Sequence, residues 1–110
     1  PVPCGDFARQ VFDRAGLAAR HDTDEPDVRA LLTKIEEGEL DAGIVYATDV
    51  AGRADRVGQV PIPPEYNVVA HYPIAVLTDG RNQADAARFI DFVGSEAGVA
   101  ILTSYGFGSP

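Results

Sequence analysis

VRALLTKIEEGELDAGIVYATDV, residues 28–50, is the stretch whose reading decides the fold. Val28, Leu31, Leu32 and Ile35 recur at i, i+3, i+4 and i+7, the apolar face of an amphipathic helix. Asp24 or Asp27 suits its N-cap, with Pro26 at or just before the first turn, and Gly38 suits its end. The next apolar run, Ala42 to Val45, is short and has no polar alternation, which predicts a buried strand over 41–46. A helix followed by a short all-apolar strand is the rhythm of an α/β protein. The run ends at the phenol of Tyr46, and Thr48 and Asp49 follow at once. After such a strand the chain must turn, so Thr48 or Asp49 reads as the cap of a short helical segment, not as a ligand contact.

Upstream, residues 6–17 place Phe7, Ala8, Val11, Phe12 and Ala15 on one face, which predicts a helix with Asp6 at its start and Gly16 near its end. Residues 18–27 are polar and read as a loop. Downstream, Val57 to Val60, Val68 to Ala70 and Pro73 to Leu77 read as short extended pieces. Pro61, Pro63 and Pro64 exclude a regular central strand between them, and Pro73 keeps Tyr72 out of helix. The character changes at Thr78-Asp79-Gly80. Two helical patterns then follow with no strand between them: Ala86, Phe89, Ile90 and Val93 share one face, Ile101, Leu102 and Tyr105 another, and Ser95 suits the cap of the second. The expected fold class is α/β, with C-terminal helices. No internal repeat or low-complexity segment is present.

The totals bound the function. The chain has 110 residues, 45% of them hydrophobic and 24% charged, as expected for a single small globular domain. Nine Lys and Arg against 17 Asp and Glu leave a net charge of −8, which argues against a nucleic-acid partner. It also argues, at first sight, against a small anionic ligand. There is no apolar run long enough to span a bilayer. The opening PVPCG is not a charged-then-apolar leader and reads as a boundary within a longer protein. The single cysteine leaves the redox compartment open.

Enzyme chemistry finds little support. Cys4 has no partner evident in the sequence and reads as a small buried thiol, and His21 and His71 sit in no recognisable motif. One Cys and two isolated His make no zinc pattern. Asp22, Asp24, Glu25 and Asp27 lack the glycine and spacing of a calcium loop, so they read as a solvated loop with helix caps. No phosphate-cradling glycine motif occurs. What remains is geometric. Helices begin near Gly5 and near Val28, and each start offers N–H groups without helical partners and a partial positive charge. Two such starts aimed at one point can hold an anion without a basic side chain. Tyr46, at the carboxyl end of a strand where α/β ligands sit, can add a hydroxyl donor. The bland alternative is a core-edge tyrosine with its hydroxyl in water.

VPCG before a helix, EPDVRALLTKIEEGELDAGIVYATDV, YPIAVL and the closing ARFIDFVGSEAGVAILTSYGF together resemble the molybdate-binding proteins of bacterial ABC importers, over nearly the whole chain. The resemblance implies a type II periplasmic binding fold, in which two α/β lobes close on a ligand, and for this chain mainly the second lobe, a three-layer α/β/α arrangement with C-terminal helices. It implies that residues 1–78 are most of the second lobe, incomplete at its N-terminus, and that 79–110 are helices that pack on a first lobe the chain lacks. It implies three contacts to the oxyanion: the backbone N–H of Cys4, the backbone N–H of Val28 and the hydroxyl of Tyr46. Alanine commonly stands in the family where Cys4 stands here. The implied ligand is molybdate or tungstate and the partner a membrane permease. No cofactor, resident metal or catalysis is expected, and the setting is periplasmic or extracellular, free or lipid-anchored. A chain with one lobe should bind the oxyanion weakly, and its apolar C-terminal faces would refold onto the sheet or associate with a second copy. Alternatives in the same architecture are a carrier of another anion and the effector-sensing domain of a transcription regulator.

Overall fold

The computed structural model describes residues 3–18 and 20–108. Among them are five helices: α1 (Pro3–Arg14), α2 (Val28–Glu36), α3 (Ala47–Val50), α4 (Gln83–Gly94) and α5 (Glu96–Ser104). They fall into two compact units, Pro1–Ala70 and His71–Pro110.

In the first unit, α1 starts and ends about a turn earlier than the apolar stripe suggests. Pro3 explains the start. Its fixed φ suits the first helical position, where its missing N–H costs no helical bond. Asp6 in the first turn and Arg14 in the last complement the helix dipole, and Gly16, at φ 66°, turns the chain out. The loop into α2 is tied along that helix. Lys34 Nζ lies 2.8 Å from Glu25 Oε1, which also accepts from the Thr23 hydroxyl at 2.9 Å. These two donors, Lys34 first, hold the Glu25 carboxyl below its ordinary value, and the same hydrogen bond raises Lys34. Asp27 is the N-cap of α2. Its backbone is extended (φ −155°, ψ 168°) and its Oδ1 accepts the Ala30 N–H at 2.9 Å. Leu32, from the apolar stripe, is 2% exposed and is the most buried large side chain among the described residues.

The expected three-layer α/β/α arrangement is not seen among the described residues. Among the described residues no strand forms, and residues 42–46, 57–60, 68–70 and 73–77 carry no ladder. Among the described residues, every backbone hydrogen bond outside the helices closes a turn or a helix end between residues six or fewer apart. The reason is physical. An apolar run encodes burial, but a ladder needs a second strand, and parallel pairing is a non-local contact that the run does not specify. Residues 42–46 lie along a helix instead, with Ile44, Val45 and Tyr46 half-buried and Ala42 and Gly43 exposed. A Cβ placed on Gly43 would stand 3.0 Å from side-chain carbons of both Leu31 and Ile35, so the segment runs directly over the apolar face of α2. The expected piece at 57–60 starts in a turn, with Arg56 and Val57 N–H groups donating to Arg53 O at 2.9 and 3.1 Å, and Val60 is 90% exposed. Beyond α3, Arg53 pairs with Glu36 and Arg56 approaches the same carboxylate at 3.6 Å, joining this turn to the C-terminal end of α2.

The second unit is a helical hairpin preceded by an extended segment. Ser95 both ends α4 and caps α5: its Oγ donates to Phe92 O at 2.6 Å and accepts the Gly98 N–H at 3.3 Å. The junction leaves no room at Gly98, where a Cβ would meet the carbonyl oxygens of Phe92 and Val93, the latter at 2.6 Å. The rings of Tyr72 and Phe107 meet edge-on at 6.1 Å. Phe89, Phe92 and Ile101 are each half or more exposed.

Candidate functional site

Three elements of the first unit line one cleft: the first turn of α1, the start of α2 and the extended segment leading to α3. Cys4 is buried, and its Sγ lies 3.7 Å from Ile44 O, which links α1 to that segment. Burial, and secondarily the negative charge of Asp49, push the thiol above its ordinary value, which favours its protonated form. The backbone N–H of Cys4 is among the first four of α1 and has no partner within the helix. Val28 is the first residue of α2 and is in the same position. Pro3 ahead of Cys4 and Asp27 ahead of Val28 are the local reasons both helices start where they do.

Cys4 and Val28 line a common cleft of about 640 Å³. Its floor is apolar, from Ala8, Phe12, Leu31 and Ile44, and its rim is polar, from residues 20–27. Three of the four acids of the rim are engaged: Asp24 Oδ2 lies 3.3 Å from His21 Nε2, Glu25 is paired with Lys34, and Asp27 caps α2. The cleft thus combines two helix starts, whose N–H groups carry partial positive charge, with a polar rim on which only Asp22 has no such pairing.

Tyr46 lies outside the lining of this cleft. Its ring packs edge-on against Phe7 of α1, with centroids 6.3 Å apart and planes 73° apart. It is the N-cap of α3, in extended conformation (φ −72°, ψ 147°). The expected cap of the short helix is supplied by Asp49 rather than Thr48. Asp49 acts from the third helical position, its Oδ2 accepting the Tyr46 N–H at 3.2 Å. The structure therefore brings Cys4 and Val28 to one cavity and sets Tyr46 two residues beyond the Ile44 carbonyl that Cys4 approaches. Sequence reasoning missed Phe7 as the support of Tyr46 and Gly43 as the point where the segment closes on α2. Phe7 was visible only as one member of a helical stripe. Gly43 stands inside an apolar run, a placement that signals close backbone approach.

Among the described residues, no group of three or more His, Cys, Asp or Glu is arranged to hold a metal ion, and no helix is long and apolar enough to cross a membrane.

The class of protein, a bacterial solute-binding protein, comes from the family comparison. Residues 1–108 match the family described as bacterial extracellular solute-binding protein, and the chain belongs to that family. Among curated proteins, it is 37% identical over 109 residues to the molybdate-binding protein ModA of Mycobacterium tuberculosis H37Rv, covering 99% of this chain and 42% of that protein. It is 32% identical over 113 residues to ModA of Escherichia coli K12, covering 96% and 42%. To a putative ABC transporter substrate-binding lipoprotein, YvgL of Bacillus subtilis 168, it is 30% identical over 111 residues, again covering 96% and 42%. The chain thus spans less than half the length of these relatives. No solved structure gives a significant match. The family and the relatives are named for binding solutes, not for catalysis.

Proposed function

We propose that this chain contributes one side of the oxyanion site of a molybdate-binding protein serving an ABC importer. Cys4 and Val28 would offer backbone N–H groups and Tyr46 its hydroxyl. The observation that carries this reading is that the first turns of two separate helices, α1 at Cys4 and α2 at Val28, line one cleft. Two relatives named molybdate-binding protein support the choice of ligand.

The chemistry suits a fully ionised tetrahedral oxyanion. Such an anion only accepts hydrogen bonds, and amide N–H groups and a phenol only donate to it. A protonated phosphate would set a donor against donors and leave a bond unmade. The net charge of −8 is no obstacle, because fixed N–H dipoles set the local field. Each hydrogen bond to a charged acceptor contributes about 1.5–3 kcal/mol. Three donors on one side cannot match a ligand enclosed from both, so residues 1–110 alone should bind molybdate weakly. In the complete site, size would separate molybdate and tungstate from the smaller sulfate. In this reading the fold is of the type II periplasmic binding class. Residues 1–78 are most of the second lobe, and 79–110 carry helices whose exposed Phe89, Ile101 and neighbours pack on the first. The partner is a membrane permease and the setting is outside the cytoplasmic membrane.

The test is a chimera in which residues 1–110 replace the matched segment of the mycobacterial relative. Isothermal titration should give tight molybdate and tungstate binding with sulfate and phosphate far weaker. Tight sulfate or phosphate binding with none for molybdate would reassign the ligand, and submicromolar molybdate binding by residues 1–110 alone would overturn the one-sided site.

A further inference from the structure

We propose that Asp49 is the positioning residue of Tyr46, fixing where residue 46 stands at the entrance to α3 and so where its phenol is delivered. The proposal rests on the reading of Tyr46 as an oxyanion donor. Asp49 engages both main-chain groups of residue 46. Its Oδ2 accepts the Tyr46 N–H at 3.2 Å, and its own N–H donates to Tyr46 O at 3.0 Å. The chain passes at this residue from an extended segment into a helix of four residues, Ala47–Val50. One turn does not hold itself, because helix nucleation is unfavourable without further turns or packing. The reciprocal pair therefore supplies what the short helix lacks. With the backbone held by Asp49 and the ring set against Phe7 at 6.3 Å, the direction of the phenol oxygen is fixed from both ends.

The position is costly for an anion-binding protein, which strengthens the assignment. Asp49 is close enough to Cys4 for its charge to help hold that thiol protonated. A carboxylate there opposes any anion bound nearby. What the structure uses at residue 49 is an acceptor oxygen, and asparagine provides one without the charge. Asp49→Asn and Asp49→Ala therefore separate acceptor from charge.

The experiment has two readouts. The first is the ring resonances of the four tyrosines (Tyr46, Tyr66, Tyr72 and Tyr105) in the 110-residue chain labelled at tyrosine, with Tyr46 assigned by its loss in Tyr46→Phe. The second is molybdate affinity in the chimera with the mycobacterial relative. Asp49→Ala should shift and broaden Tyr46 alone and weaken molybdate at least fivefold. Asp49→Asn should leave the resonance in place and bind molybdate as tightly as the parent or more tightly. An unmoved Tyr46 signal in Asp49→Ala, a collapse of all four signals together, or equal loss of affinity in both variants overturns the proposal. If the parent chimera ignores molybdate while Tyr46 still answers to Asp49 in the ring spectra, the oxyanion reading fails and the positioning role stands.

Discussion

Replacing Val28 by proline removes its backbone N–H and exchanges one small apolar side chain for another. Val28 is the first residue of α2, where the helix makes no use of its N–H and where the fixed φ of proline suits the chain. The residue before it, Asp27, is already extended at φ −155° and ψ 168°, as a residue preceding proline must be. The cap from Asp27 to the Ala30 N–H does not involve residue 28. Helix and fold should therefore survive, with a change in Tm of a few degrees at most. A ligand that depends on the Val28 N–H should lose one charge-assisted hydrogen bond, about 1.5–3 kcal/mol, or roughly 10- to 150-fold in Kd. Val28→Ala keeps the N–H and trims a half-buried side chain, so its effect on Kd should stay within about threefold. The assay is titration of molybdate into the chimera carrying each variant, with thermal melts of both. If Val28→Pro and Val28→Ala bind alike, residue 28 does not donate through its main chain and the site has been drawn wrongly.

Tyr46→Phe in the same chimera should weaken molybdate by about 1–3 kcal/mol with an unchanged melting curve; unchanged affinity removes Tyr46 from the site. Gly98→Ala places a methyl against the carbonyls of Phe92 and Val93, backbone atoms that cannot rotate aside. It should cost about 1–2 kcal/mol despite the better helix propensity of alanine. Gly94→Ala, with nothing within 4 Å of the added carbon, should be neutral or stabilising in the same denaturant titrations. The raised Cys4 thiol adds a pH dependence. Its contribution to stability is fully present below the thiol's ordinary value of 9.0 and is lost as pH rises through the higher folded value. Melts of Cys4→Ala and the parent should thus converge in their pH dependence below 9 and diverge above it, and parallel profiles up to pH 11 would show that the thiol ionises normally.

The starts of α2 and α5 were the legible part of this sequence. Asp27 and Ser95 cap through side chains whose reach is local, so their roles follow from residue type and from what comes next. The apolar stripe of α2 was legible for the same reason, and Leu32 is its buried member. Ala42 to Val45 was not, because an apolar run does not name the element it packs against; here α2 lies under Gly43, and the run is at most half-buried. Pro3 could have moved the start of α1 had its preference for the first helical position been weighed above the stripe. In the candidate site, Cys4 and Val28 came from helix starts and from a motif resemblance, and both line the cleft. The support of Tyr46 by Phe7 and the closeness of Gly98 to α4 are tertiary contacts between residues that carry no paired signal in one sequence.

The central claim is that two main-chain amides, at residues 4 and 28, and one phenol, at residue 46, serve a single oxyanion. Amide spectra of the ¹⁵N-labelled chimera during a molybdate titration address it most directly. The account predicts that the Cys4 and Val28 cross-peaks move downfield together, on one binding curve, and that Tyr46→Phe weakens that curve without moving its endpoints far. Saturation by molybdate with the Cys4 and Val28 amides left in place would contradict it.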